Sequence, residues 1–147
     1  MRTSEVKTAL VNAIEAITPD AKASARDVFR HVDHAGRYGL TASNQGRLPD
    51  RVFHVALASV PERADLLTTD AFSATYDLAI YYTAGQAQIE DRIGADAERI
   101  QWALATVHTT AADLFNVDVS PGPVDEFEQI IEARLTARCT YRLTGGE

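Results

Sequence analysis

The C-terminal stretch from Ile131 to Leu143 alternates between apolar and polar residues over thirteen consecutive positions. Successive side chains of a β-strand point to opposite faces of a sheet, so this period of two predicts one long strand. An element with one apolar face needs a core on that side and accepts solvent on the other, which is typical of an antiparallel sheet. The apolar face comprises Ile131, Ala133, Leu135, Ala137, Cys139, Tyr141 and Leu143, and the polar face comprises Glu132, Arg134, Thr136, Arg138, Thr140 and Arg142.

Two other segments repeat apolar residues with a helical period. The first predicts a helix with Thr3 or Ser4 as its N-cap and Pro19 just past its end, and its stripe is Val6, Leu10, Ala13, Ile14 and Ile17. The second predicts a helix over Gln86 to His108, with a stripe of Ile89, Ile93, Ala97, Ile100, Leu104 and Val107. Trp102 falls nearly opposite this second stripe, so we expect its side chain to point outward, against the protein's own long loop, another subunit or solvent.

Shorter alternating segments predict further strands at Arg51 to Ser59, Ala74 to Tyr82 and Leu114 to Val119, and less strongly at Arg26 to Val32. Ser120 to Pro123 is expected to close the third of these strands. Residues 33–50 and 61–72 lack periodicity and predict long loops. We therefore expect a single α+β domain over residues 1–147, with one mainly antiparallel sheet of four to five strands and two helices packed on one face.

The net charge of −7 is unevenly distributed along the chain. Residues 73–147 carry twelve acids and five bases, which argues against a protein that grips phosphate backbones. The single cysteine, Cys139, excludes an internal disulfide framework and is expected to be an inert buried thiol. No secretory signal or membrane span is recognisable, so we expect a protein of the cytoplasm in which it is made, with no membrane partner.

Motifs of common enzyme classes are missing from the sequence. It contains no G-x-G-x-x-G, no G-x-x-x-x-G-K-[ST] and no G-x-S-x-G, so we expect no enzyme, no catalytic residue and no cofactor. His31, Asp33 and His34, with His54 on a later strand, have the donor atoms for zinc but match no helical zinc spacing. Six acids between Asp113 and Glu132 lack the spacing of a calcium loop, and a solvated acidic segment is the simpler expectation.

Three arginines recur every four residues on the polar face of the last strand. Arg134, Arg138 and Arg142 are thus about 13 Å apart along one face. We expect them to pair with acids of a neighbouring strand or of another subunit, where such a row would fix register more than it would add stability. Together with Trp102, they are the candidate subunit interface.

The layout resembles the tail-terminator proteins of long-tailed bacteriophages. The similarity comprises the opening helix with Val6, Leu10 and Ile14, the strand through Tyr76 to Tyr82, the helix around Ile93 to Leu104 and the ending EARLTARCTYRLT. The resemblance implies a homohexameric ring that caps a tail tube and joins it to head or neck proteins, within a virion assembled in the host cytoplasm. Another head-tail joining or minor tail protein is the alternative within this class.

In such a ring, the acidic segment is expected to line the lumen, with Asp118, Asp125, Glu126 and Glu128 as candidates. Negative charge there would let DNA pass without binding it. The rival class is a small ligand-binding or catalytic α+β protein, for which we would expect a pocket near His31, His54 and Tyr76.

Overall fold

The computed structural model describes residues 1–17, 29–32, 50–64, 70–109, 111 and 113–143. The described helices are α1 (Thr3–Glu15) and α2 (Ile89–Ala105), and a short 3-10 helix follows at Val107–Thr109. The described strands are β1 (Arg30–His31), β2 (Val52–Leu57), β3 (Glu62–Arg63), β4 (Ala71–Thr83), β5 (Leu114–Phe127) and β6 (Ile130–Arg142).

The centre of the sheet is the antiparallel pair β4 and β6. Their partners run from Ala71 opposite Arg142 to Thr83 opposite Ile130, thirteen pairs with no register shift. The apolar face predicted for the last strand is buried from Ile131 to Tyr141, which confirms both the strand and its core side. Glu132 on the other face is also buried, which the alternation did not predict.

The sheet differs from the predicted one in strand number and direction. It has six strands in the order β1-β2-β4-β6-β5, with β3 also on β4, and β1 is parallel to β2. The expectation of a mainly antiparallel sheet of four to five strands was therefore wrong, although the α+β class is confirmed. β1 and β3 have two residues each, which is too short to produce a detectable period.

Strands β2 and β3 form one run along the same edge of β4. Leu57 pairs with Tyr76, and Glu62 pairs with Ser73. Between these two pairs the chain advances five residues from β2 to β3 but only three residues along β4, so the β2–β3 side has two extra residues. The segment between the two strands, Ala58–Pro61, is thus a bulge, a feature that re-aims side chains at sheet edges. The predicted loop over 61–72 was wrong at both ends, because it contains β3 and because β4 begins at Ala71.

Strand β5 continues past the prolines that were expected to close it. Within the described part of the chain it pairs only with β6, and its register shifts between Pro121 and Val124. Proline is tolerated at such an edge because its missing N–H does not interrupt a central ladder. A Cβ at Gly122 would lie 2.9 Å from the carbonyl oxygen of Arg134, so this close approach requires glycine.

Both described helices cover the same face of the sheet, as predicted. Val6, Leu10 and Ile14 of α1 share one core with residues of α2, β2, β4, β5 and β6. The N-cap of α1 is Arg2 rather than the predicted Thr3 or Ser4, and the Arg2 N–H donates to the Glu5 carboxylate at 3.0 Å. A smaller apolar cluster of Val52, Tyr81 and Ile130 lies on the opposite face.

Parts of two predicted elements lie outside the described residues. Of the strand predicted over residues 26–32, only Arg30–His31 is seen as a strand, and residues 26–28 are not described. Of the loop predicted over residues 33–50, only Asp50 is described.

Glu128 begins the two-residue turn between β5 and β6 with φ at +57°. A residue that has a Cβ atom loses about 1–2 kcal/mol in this left-handed backbone conformation, and glycine avoids that cost. We expect Glu128→Gly to raise the unfolding free energy by about 0.5–1 kcal/mol after the entropy cost of glycine, measured by urea denaturation. The matched control, Glu126→Gly in the extended strand, should lower it. A lower unfolding free energy in both variants would contradict the prediction.

Candidate functional site

A groove lies between the C-terminal parts of α1 and α2. It has a volume of about 650 Å³ and opens to solvent. Trp102 forms one wall and is 74% exposed, as its position opposite the apolar stripe predicted. The lining residues are Ala9, Asn12, Ala13, Ala16, Ile17, Trp102, Ala103, Thr106, Val107 and Ala111.

The groove is large enough for a small ligand, and none of its described lining residues has a titratable side chain. The polar groups of this described lining are the side chains of Asn12 and Thr106 and the indole N–H of Trp102, and Thr106 already donates to the carbonyl oxygen of Trp102 at 3.1 Å. Acid–base or nucleophilic chemistry needs groups that this surface lacks. Its character suits the docking of apolar side chains.

Arg51, Asp96 and Tyr82 form a buried charge cluster between the start of β2 and the helix α2. The Asp96 carboxylate is 0% exposed and accepts from Arg51 Nε at 2.8 Å, Arg51 Nη2 at 3.1 Å and the Tyr82 hydroxyl at 2.9 Å. Arg99 adds a longer contact of 3.4 Å. Arg51 is held at φ +52°, a region that is costly for a side chain and that the surrounding contacts must stabilise.

The electrostatics of this cluster favour a fixed ion pair. Burial alone would lower the pKa of the Arg51 guanidinium, but the hydrogen bond and the charge of Asp96 raise it above its usual value. Burial, and then the negative charge of Asp96, raise the pKa of the Tyr82 phenol. Both groups therefore keep their protons at neutral pH.

A second ion pair lies beside the buried charge cluster, nearer the surface. Arg92 donates to Asp50 through both Nη atoms, at 3.1 and 2.6 Å, and to Gln86 at 2.8 Å. Two consecutive residues, Asp50 and Arg51, are thus fastened to α2. The arrangement is structural, because the carboxylate of Asp96 is closed to any substrate.

Sequence analysis missed this cluster although a signal was present. Asp96 lies three residues after Ile93 and four before Ile100, in the middle of the apolar stripe of α2. An acid on a buried helix face requires a partner. Its main partner, Arg51, is 45 residues away and could not be identified from the helix alone.

The three arginines of β6 each contact an acid of the same subunit. Arg134 Nε lies 2.6 Å from Glu132, Arg138 Nη2 lies 3.7 Å from Glu62, and Arg142 Nε lies 3.4 Å from Asp70. The bond to Glu132 and its charge raise the pKa of Arg134. The row therefore does not need an acidic partner from another subunit, although all three side chains remain about half-exposed.

The four candidate lumen acids lie on the edge strand β5 and its turn, and all are exposed. Asp118 is in register with Arg138, and Asp125 is in register with Glu132. Glu126 is opposite Ile131 and points to the other side, while Glu128 is in the turn. None of the four makes an ion pair with a described residue.

The structure does not bring His31, His54 and Tyr76 together in one pocket. His31 and His54 are stacked with ring centroids 6.1 Å apart, and His54 Nδ1 lies 2.8 Å from the carbonyl oxygen of Val32. Tyr76 is in the core on the helix side, where its hydroxyl donates to the carbonyl oxygen of Thr3 at 2.8 Å. Asp33 and His34 lie outside the described residues, among which no metal-binding group of three side chains occurs.

A small cavity does occur on the outer sheet face, lined in part by His54, Asp77, Tyr81 and Arg134. Its volume is about 150 Å³, below the roughly 300–1,000 Å³ of ordinary ligand sites.

Cys139 is buried in the core, and burial raises the pKa of its thiol to about 12. It is therefore protonated and shielded at neutral pH, as an inert buried thiol should be.

Removing Asp96 should be the costliest single change in this region, because it leaves the Arg51 guanidinium buried without its counter-charge. We expect Asp96→Ala to lower the unfolding free energy by about 3–5 kcal/mol in urea denaturation. Glu98→Ala, two residues along the same helix but exposed, should change it by less than about 0.5 kcal/mol. Equal losses of unfolding free energy in the two variants would show that the ion pair of Asp96 with Arg51 does not stabilise the fold in this way.

Comparison with known proteins gives no family assignment. No protein-family model matches the chain, and no curated protein sequence matches it significantly. Among the described residues, neither helix is long and apolar enough to cross a lipid bilayer.

Proposed function

We propose that the protein is a structural assembly subunit of a phage virion, similar to a tail terminator, which forms a homohexameric ring on the tail tube. The ring joins the tube to head or neck proteins and needs no cofactor. The proposal combines the resemblance of the sequence with three surfaces of the structure: an acidic edge strand, an apolar groove and a row of arginines.

The observation that carries the proposal is the exposed acidic strip along β5. From Ser120 to Glu126 every residue of this strand is exposed on both faces, and no base occurs between Asp113 and Glu132. Asp118, Asp125, Glu126 and Glu128 belong to this strip. A surface of one sign repels the phosphate backbone, which suits the wall of a channel that DNA must pass without binding.

The groove beside Trp102 supports assembly over catalysis. Its described lining is concave and mainly apolar and includes no titratable side chain, whereas aromatic side chains that become buried on binding are typical centres of protein interfaces. The arginine row adds less support than the sequence suggested, because each arginine contacts an acid of its own subunit. As half-exposed groups at fixed spacing, Arg134, Arg138 and Arg142 are best assigned to the rim of an interface.

The first expectation concerns oligomeric state and partners. The purified chain should give a six-subunit mass by native mass spectrometry and should bind the ends of assembled tail tubes in electron micrographs. Binding to head-joining proteins alone would identify the alternative, another neck or minor tail protein. A monodisperse monomer at high concentration, with neither partner bound, would refute the assembly proposal.

A second expectation concerns the acidic strip. Replacement of Asp125, Glu126 and Glu128 by lysine should leave the ring mass unchanged but create DNA binding that weakens as salt rises, measured by fluorescence anisotropy. The control replaces Glu15, Glu90 and Asp91, exposed acids of the two helices, and changes the net charge equally. If both triple variants bind DNA equally, the strip has no special position in the ring.

A further inference from the structure

Strand β5 forms a long open edge of the sheet. It has fourteen residues, and within the described part of the chain its one partner is β6. All residues from Ser120 to Glu126 are exposed. An open edge strand presents unpaired N–H and C=O groups, which can pair with a strand of another copy and start uncontrolled association.

The direction of the backbone groups along this edge follows from the neighbouring strand β6. The N–H of Arg142 donates at 2.7 Å to the carbonyl oxygen of Asp113, which precedes β5, and the N–H of Leu143 donates at 2.7 Å to that of Asp70, which precedes β4. Backbone groups alternate in direction along a strand, and β6 keeps one register with β4 over all thirteen pairs. Even-numbered residues of β6 therefore direct their backbone groups to β5, and odd-numbered residues direct theirs to β4.

This alternation places the ring nitrogen of Pro121 on the outer edge of β5. Pro121 is opposite Leu135, an odd-numbered residue, so the two form a pair without hydrogen bonds between β5 and β6. In such a pair the backbone nitrogen of the edge residue points away from the neighbouring strand, and the nitrogen of proline carries no hydrogen. An incoming strand would therefore find no donor at this position.

The residues after Pro121 add a second obstacle to an incoming strand. From Pro121 to Val124 the chain advances three residues, whereas β6 advances two from Ala133 to Leu135, so β5 has one extra residue and forms a bulge. The bulge contains a second proline at position 123, and its glycine lies so close to β6 that a Cβ would be 2.9 Å from the carbonyl oxygen of Arg134. Bulges bend and twist an edge, which disfavours pairing with another chain.

The charge of the strand acts in the same direction. Asp118, Asp125 and Glu126 are exposed on β5, and no base occurs between Asp113 and Glu132. Two copies of this edge would bring like charges close together, which destabilises facing strands. Salt screens such a repulsion between exposed groups, so its contribution can be measured.

We infer that residues 120–126 prevent the sheet from extending into a second copy of the chain. The missing donor at Pro121 is the main element of this protection, and the bulge and the acids support it. The inference goes beyond the proposed ring and does not depend on it, because it concerns a contact that is prevented rather than one that builds an assembly. Any assembly of this protein then uses contacts other than backbone pairing along β5.

The test restores the missing donor. Pro121→Thr supplies an outward N–H and a strand-forming side chain, and threonine can adopt the backbone angle of proline, so the fold should be kept. At equal concentration this variant should self-associate about tenfold more strongly than the wild type in sedimentation velocity, as one added hydrogen bond per contact would give. Rising salt should strengthen the association further, because it screens the acids.

Ser120→Thr is the matched control. Ser120 is opposite Thr136, an even-numbered residue, so its N–H points to β6 and the change adds strand propensity without an outward donor. This variant should associate like the wild type. In a second variant, Pro121→Thr is combined with Val119→Pro, which removes the next outward N–H because Val119 is opposite Ala137. Its association should return towards that of the wild type.

The outcomes separate this inference from the proposed function. Equal association of Pro121→Thr and the wild type would overturn the inference, and so would equal gains in Pro121→Thr and Ser120→Thr. If circular dichroism shows that threonine disturbs the fold, Pro121→Ala restores the same donor and gives the same comparison. A wild type that forms no ring and binds neither tube nor head proteins would refute the proposed function, while the comparison of each variant with that wild type would still test the protection of the edge.

Discussion

The uninterrupted ladder between β4 and β6 is the constraint on which the rest of the structure depends. Thirteen pairs in constant register fix which side chains of both strands face the helices. A slip of one residue would move the whole apolar set, including Tyr76 and Tyr141, to the solvent side. The same register holds Tyr76 and Tyr141 under the first turn of α1, where their hydroxyls bond to Thr3. The position of the helical layer, and of the groove within it, follows from this pairing.

The sequence predicted the elements whose side chains repeat over many residues. The last strand was displaced by only one residue, from the predicted Ile131–Leu143 to the observed Ile130–Arg142, and both main helices appear where their stripes placed them. The sequence did not predict the features that depend on contacts with residues far away in the chain. The two-residue strand at Arg30 exists because Val52 lies beside it, and β5 passes through Pro121 because nothing pairs with its outer edge among the described residues. Neither fact is contained in the segment itself.

The candidate surfaces were predictable to different degrees for the same reason. The exposure of Trp102 followed from the geometry of a single helix. The groove beside it depends on the approach of α1 and α2. Glu132, which is buried, is paired with Tyr81 of β4 and accepts a hydrogen bond from Arg134. The arginine row was expected to pair with acids, but two of its three partners, Glu62 and Asp70, come from the segment that was predicted as the loop 61–72.

The distribution of charge and concavity among the described residues is the physical basis of the proposal of an assembly role. Catalysis requires titratable groups that converge on a cavity open to substrate. Among the described residues, the buried charged groups Arg51, Asp96 and Glu132 are bound to one another or to a neighbour and closed off from solvent, and no titratable side chain lines the groove beside Trp102. Assembly requires the opposite arrangement, with apolar concavity and apolar protrusion presented on a rigid frame. The ladder of β4 and β6 supplies that frame, because one edge of β4 carries the bulge at Ala58–Pro61 and the helix face of the pair carries the groove beside Trp102.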